Sequence, residues 1–227
     1  MTVTKQFRVV VLISGAGSNL QSLIRYVAKP DSKFQIALAV SDRATAGGLV
    51  IATEAGINTV VAEKTKTESR EAYGARLGEI VSAAKPDLVV LAGFMRVLSA
   101  NFIALFQDKL INIHPSLLPA FRGLRAQAQA LSAGVKVAGC TVHLVDEEVD
   151  AGPILGQAAV HVLSSDTEES LRLRILEAEH KLLPLVVDAV AQGKIRISRA
   201  GMTRQIFIDQ SLNPSTEGFL SSIEIAS

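Results

Sequence analysis

Short runs of β-branched and other apolar residues recur at 7–13, 34–40, 88–92 and 110–114, with helix-forming stretches between them. The first, Phe7-Arg8-Val9-Val10-Val11-Leu12-Ile13, and the third, Leu88-Val89-Val90-Leu91-Ala92, hardly alternate with polar residues. A run of that kind must be covered on both faces, as in a central strand of a parallel sheet. Parallel neighbours need crossovers, and the intervening segments read as helices. Leu20, Leu23 and Ile24 share one face, Gly56 closes 47–55, and Tyr73, Leu77, Ile80 and Val81 form a stripe on 67–84. A short strand at 58–61 fits between them. The pattern predicts an α/β fold, a doubly wound and mostly parallel Rossmann-like sheet with flanking helices.

The second half continues with a helix over 126–133 ended by Gly134, and strands over 137–145 and 153–162 joined by an acidic turn. So short a connection implies an antiparallel edge hairpin. A long helix over 167–192 is opened by Asp166 or Thr167, carries Glu168 and Glu169 in its first turn, and is closed by Gly193. Beyond Ile197 the chain is polar and weakly patterned, a loose extension or a small edge hairpin of 195–198 with 205–208. The expected organisation is one α/β domain over 1–197 and a polar C-terminal extension over 198–227.

With 23 basic and 22 acidic residues interspersed, the net charge of +1 leaves no electrostatic footprint for nucleic acid or an anionic membrane surface. Aromatic residues are 4% of the chain, with no tryptophan, which disfavours stacking on single strands. The single Cys140 has no internal partner, no apolar run is long enough to span a bilayer, and the N-terminus lacks a signal pattern. A cytoplasmic protein with small-molecule partners is expected.

The chemistry concentrates at strand carboxyl ends, where open α/β sheets bind ligands. Leu110-Ile111-Asn112-Ile113-His114-Pro115 places Asn112 and His114 two residues apart, on one side of a pleated backbone that Pro115 then stops. A histidine that moves a proton and an amide that donates to a developing oxyanion point to carbonyl chemistry. A hydrogen-bonded structural histidine is the alternative. Ser14-Gly15-Ala16-Gly17-Ser18-Asn19 is a glycine turn between strand and helix, suited to a phosphate or else a plain turn. A dinucleotide fingerprint would want a small residue where Leu20 stands, and Asp42 comes late for a ribose carboxylate.

Gly93-Phe94-Met95-Arg96-Val97-Leu98 is an apolar loop, core or the wall of a flat-ligand pocket, with Ser99 capping the helix after it. Asp146, Glu147, Glu148 and Asp150 make an acidic turn, ordinarily solvated surface, from which one carboxylate can lean on His114. The four histidines, His114, His143, His161 and His180, lack metal-ligand spacing, so no metal is expected. His143 reads as a satisfied strand residue, and His161 and His180 as surface or helix-end residues.

Taken together, Ile13-Ser14-Gly15-Ala16-Gly17-Ser18-Asn19-Leu20, Leu91-Ala92-Gly93-Phe94-Met95-Arg96, Asn112-Ile113-His114-Pro115-Ser116-Leu117-Leu118-Pro119 and Asp150-Ala151-Gly152-Pro153-Ile154 resemble the phosphoribosylglycinamide formyltransferases of purine synthesis, collinearly from about Arg8 to Gly193. The resemblance implies transfer of a formyl group from 10-formyltetrahydrofolate, as co-substrate, to the glycinamide amine, by a monomer or homodimer. It assigns Gly17, Ser18 and Asn19 to the acceptor phosphate and Glu179 to the acceptor site. Arg70, Met95, Arg96, Val97 and Leu98 match folate contacts, as do Asp146, Glu147, Glu148, Val149 and Asp150 beside the pterin and Asn112. Asn112, His114 and Asp150 match the catalytic trio, with His114 as general acid.

One stretch departs from that family. Phe121-Arg122-Gly123-Leu124-Arg125-Ala126-Gln127 stands where relatives commonly carry Pro-Gly-Leu and a histidine. Arg122 gives up a rigid turn residue and Arg125 adds a permanent cation, so the loop is expected to depart in geometry. Rival readings are a formyl-folate hydrolase, formyl transfer to another amine, and a non-catalytic folate- or nucleotide-binding protein.

Overall fold

The computed structural model describes residues 6–200, 203–209 and 219–220. The chain divides into two compact units, Met1–Ile111 and Asn112–Ser227. Both are built of alternating strands and helices, and the fold is the expected α/β class with a mostly parallel sheet and flanking helices.

In the first unit, strands β1 (Phe7–Ile13), β2 (Phe34–Ser41), β3 (Thr59–Val61) and β4 (Leu88–Leu91) run parallel in the order β4-β1-β2-β3. Val9 through Ile13 are fully buried, as are Val89 and Val90, which is why neither run tolerates alternation with polar residues. Helices α1 (Ser18–Val27), α2 (Gly47–Glu54), α3 (Arg70–Ala83) and α4 (Ala100–Leu105) make the connections. Helix α2 ends with Gly56 at φ 71°, the left-handed stop read from the sequence.

One helix start and one cap contact differ from expectation. Helix α3 begins at Arg70 because the hydroxyl of Ser69 accepts from Ala72 N at 3.0 Å. Thr65 and Glu68 close a separate turn just before it, the Thr65 N–H donating to the Glu68 carboxylate at 3.3 Å. Ser99 is the N-cap residue of α4 but not its capping side chain. Its hydroxyl donates to Asn101 Oδ1, and Asn101 in turn accepts from Phe102 N at 2.9 Å.

Strand β5 (Leu110–His114) carries the chain into the second unit, where α5 (Ala126–Ser132), β6 (Val137–Leu144), β7 (Ile154–His161) and α6 (Glu168–Ala191) follow. Strands β6 and β7 form the expected antiparallel hairpin, and the two-residue β10 (Phe219–Leu220) pairs antiparallel outside β7. Thr167 opens α6 with a capping box, accepting from Ser170 N at 3.1 Å while the Ser170 hydroxyl accepts from Thr167 N at 3.0 Å. Past α6 a hairpin forms, but as a two-stranded sheet of its own rather than at the edge of the larger one. Strands β8 (Ile195–Ala200) and β9 (Thr203–Ile208) pair in register from Ile195↔Ile208, longer than the sequence pattern shows. Cys140 on β6 is fully buried and free, and burial pushes its thiol far above the ordinary range, with the Glu179 charge adding to the effect. Among the described residues no helix is long and apolar enough to cross a membrane.

Candidate active site

In the first unit the β1–α1 turn has the shape of an anion cradle. Gly17 caps α1 at φ 80°, and a Cβ there would lie 2.4 Å from Gly48 Cα, so only glycine fits. Gly17 gives α1 no side-chain cap, so the start of the helix at Ser18 has the form of an anion-binding helix N-terminus. The 93–95 segment is tied to the same turn. Ser14 N donates to Gly93 O at 3.1 Å and Met95 N donates to the Ser14 hydroxyl at 2.8 Å.

Residues 95–98 divide in a way the sequence did not show. Met95 and Val97 are about two-thirds exposed, whereas Leu98 is core. Arg96 is anchored from below, its Nε 2.6 Å from Oδ2 of Asp42, a carboxylate almost entirely buried. The Arg96 guanidinium also lies 5.7 Å from the Tyr73 ring centroid. Asp42, weighed from sequence as a ribose carboxylate, is therefore a structural anchor for Arg96. Arg70, the first residue of α3, is 57% exposed with Glu71 as a loose neighbour at 3.4 Å.

The second unit brings Asn112, His114 and Asp150 close to one another. Strand β5 delivers Asn112 and His114, and the β6–β7 turn delivers Asp150, which adopts φ 51°. Nδ1 of His114 lies 3.3 Å from Asp150 Oδ2, and its Nε2 lies 3.0 Å from the Phe121 carbonyl oxygen. Both neighbours only accept, so a ring protonated at both nitrogens satisfies both. His143, read from sequence as a satisfied strand residue, joins the cluster. Its Nδ1 donates to Leu144 O at 2.8 Å, leaving Nε2 3.3 Å from Asn112 Nδ2 and 3.6 Å from Asp150 Oδ1. Left bare, that nitrogen accepts from the Asn112 amide; protonated, it donates to Asp150.

Asp150 is where these contacts meet. Burial pushes its carboxyl up, but the His143 imidazole 3.6 Å away, the Gly123 N–H at 2.9 Å and the neighbouring His114 ring outweigh that and hold it below its usual value. The turn after β5 is fixed in parallel. The Thr141 hydroxyl donates to Ser116 O at 2.6 Å and accepts from Leu118 N at 3.0 Å, and Gln157 Nε2 donates to Leu118 O at 2.9 Å. Neither Thr141 nor Gln157 carries a local motif that marks it.

The departing loop is braced by a side-chain amide and two ion pairs. Gln129 Nε2 donates to the carbonyls of Arg122 at 3.1 Å and Leu124 at 3.0 Å. Arg122 meets Glu148 at 2.7 Å and Arg125 meets Glu168 at 2.9 Å, so the two new cations are partnered. Elsewhere in the acidic turn Asp146 meets Arg204 of β9 at 2.5 Å, while Glu147 and Val149 are exposed. Glu179 is buried on α6.

Residues 7–187 match the sequence family described as formyl transferase. The chain belongs to that formyl transferase family. Within it, the chain is 42% identical over 189 residues to the phosphoribosylglycinamide formyltransferase of Escherichia coli K12, covering 83% of this chain and 89% of that one. It is also 46% identical over 197 residues to the bovine trifunctional purine biosynthetic protein adenosine-3, covering 87% of this chain but spanning only 20% of that longer protein. Among solved structures, glycinamide ribonucleotide transformylase 1 from Symbiobacterium toebii superposes with a TM-score of 0.85 at 44% identity, covering 91% of this chain and 97% of that one. These formyl transferase relatives establish the family resemblance read from the four sequence motifs.

Proposed function

We propose that this chain transfers the formyl group of 10-formyltetrahydrofolate to the amine of 5-phosphoribosylglycinamide, a step of purine biosynthesis. The observation that carries this reading is the cluster of Asn112, His114, His143 and Asp150, in which one carboxylate serves two imidazoles. The transferase unit is read as residues 1–197, acting on small molecules in the cytoplasm as a monomer or homodimer.

The acceptor amine attacks the formyl carbon and negative charge grows on the formyl oxygen. His114 meets that charge with its Nε2–H, exchanging the Phe121 carbonyl for the formyl oxygen, while Asp150 holds the other side of the ring. Asn112 carries two amide hydrogens. One faces His143, and the other is the second oxyanion donor. As the C–N bond to folate breaks, the folate nitrogen leaves with a proton relayed from the attacking amine through the His114 site. Gly17, Ser18 and Asn19 take the acceptor phosphate, and Glu179 serves the acceptor site. Arg70, Met95, Arg96, Val97 and Leu98 serve the folate, together with Asn112 and the 146–150 turn.

The deciding experiment follows absorbance of the folate product with and without glycinamide ribonucleotide. Acceptor-dependent turnover is expected. Product formed without acceptor means a hydrolase, and folate binding without product means a non-catalytic binder; either result overturns the proposal.

A further inference from the structure

The β8–β9 hairpin reaches back to the acidic turn through one side chain. Arg204, only 16% exposed on β9, places Nη1 2.5 Å from Oδ1 of Asp146, whose side chain is 31% exposed. The hairpin that carries it is fixed at its base. Lys194 N donates to Ala189 O at 2.9 Å, joining the start of β8 to the end of α6, and Asp209 N donates to Lys194 O at 2.8 Å, closing the strand ends. Arg204 is thus delivered from an anchored two-stranded element in defined register.

The turn that it reaches is tight. Leu144 N donates to Pro153 O at 2.9 Å across its base, and a Cβ on Gly152 would meet Leu144 O at 1.9 Å. Asp146 opens this turn and Asp150 stands near its close, held in turn to Gly123 and His114. One end is therefore gripped by Arg204 and the other grips the catalytic histidine. Glu148 between them is 74% exposed, so its pairing with Arg122 is a weak restraint.

We propose that Arg204 is a positioning residue, holding Asp146 so that the 146–150 turn is set for the pterin and Asp150 stays on His114. The proposal rests on the transferase reading above. A partly exposed ion pair adds little to global stability, so the effect of Arg204 is local order of the turn.

The test compares full-length wild type, Arg204→Gln, Arg204→Lys, Asp146→Asn and the Arg204→Gln/Asp146→Asn double variant. Arg204→Gln is expected to raise the KM for 10-formyltetrahydrofolate about 3- to 10-fold, within the range of coupling between contacting residues. The KM for glycinamide ribonucleotide and the melting temperature should stay near wild type. Arg204→Lys should recover most of the loss, and the double variant should be no worse than either single one. Backbone amides of 146–152 should exchange faster with solvent in Arg204→Gln. An unchanged folate KM, or a parallel rise in both KM values with a lowered melting temperature and no rescue by lysine, overturns the proposal. If wild type itself transfers no formyl group, the functional reading fails instead, and unchanged amide exchange at 146–152 then overturns the tether separately.

Discussion

His114 and Asp150 face each other at 3.3 Å across Nδ1 and Oδ2, while the far side of the same ring is 3.0 Å from the Phe121 carbonyl. The histidine is therefore clamped between an anion and a neutral acceptor, with only the neutral acceptor free to be exchanged for a substrate oxygen. In the proposed mechanism that asymmetry assigns Nε2 to the substrate and Nδ1 to Asp150.

Replacing His114 by alanine should lower kcat by about 10²- to 10⁴-fold, the usual contribution of a positioned acid or base. Folding should survive. Steady-state transfer rates and far-ultraviolet circular dichroism check both halves, and substantial turnover in the variant would sink the mechanism.

Asp150→Asn should cost turnover more than acceptor binding, since the amide keeps the shape but not the charge that supports the imidazolium. A stability signature accompanies it. The folded-state pKa of Asp150 is depressed, so its contribution is present above the unfolded value of about 3.9 and is lost as pH falls through the lower folded value. Melting temperatures of wild type and Asp150→Asn should accordingly differ most near neutral pH and converge below about pH 4. A gap that widens on acidification would refute the assignment.

From a buried strand position His143 places Nε2 3.3 Å from the Asn112 amide. His143→Phe should reduce kcat by about 10-fold through misplacement of that amide, less than a direct hit on the reacting group. Its effect on KM should be small. A variant with wild-type kcat would show that Asn112 is oriented by other means.

Gly17→Ala should destabilise the chain by about 1–3 kcal/mol, because φ 80° is strained for alanine and its Cβ meets Gly48 Cα. Protection by inorganic phosphate against thermal unfolding should also disappear in the variant. Retained phosphate protection would move the anion site elsewhere.

Asp42→Asn leaves the Arg96 guanidinium without its buried counter-charge. A loss of about 1–2 kcal/mol by urea unfolding is expected, discounted because Arg96 is partly exposed. Unchanged stability would mean that Tyr73 and solvent suffice for Arg96.

The strands were legible because burial on both faces leaves a direct mark: Val9, Val10, Val11 and Leu12 cannot be anything but apolar. Helix starts were less so, since Thr67 and Ser69 both have capping side chains and only the local turn closed by Glu68 on Thr65 decides between them. In the site, Asn112 and His114 declared themselves by spacing along one strand. Asp150 needed the family resemblance. The contacts of His143, Thr141 and Arg204 were hidden because they depend on which strands and hairpins become neighbours, and nothing in a one-dimensional pattern reports that. The anchoring of Arg96 by Asp42 was hidden for the same reason: the two lie far apart along the chain, the arginine in the loop after β4.

Cys140 supplies one more consequence. The chain contains a single thiol, and it is sealed inside β6 with its ionisation strongly suppressed. An alkylating reagent can modify it only when that strand is transiently exposed. The labelling stoichiometry of the native chain is thus a clock with a single hand, and its rate reads the opening frequency of the strand that carries His143 without any engineered probe.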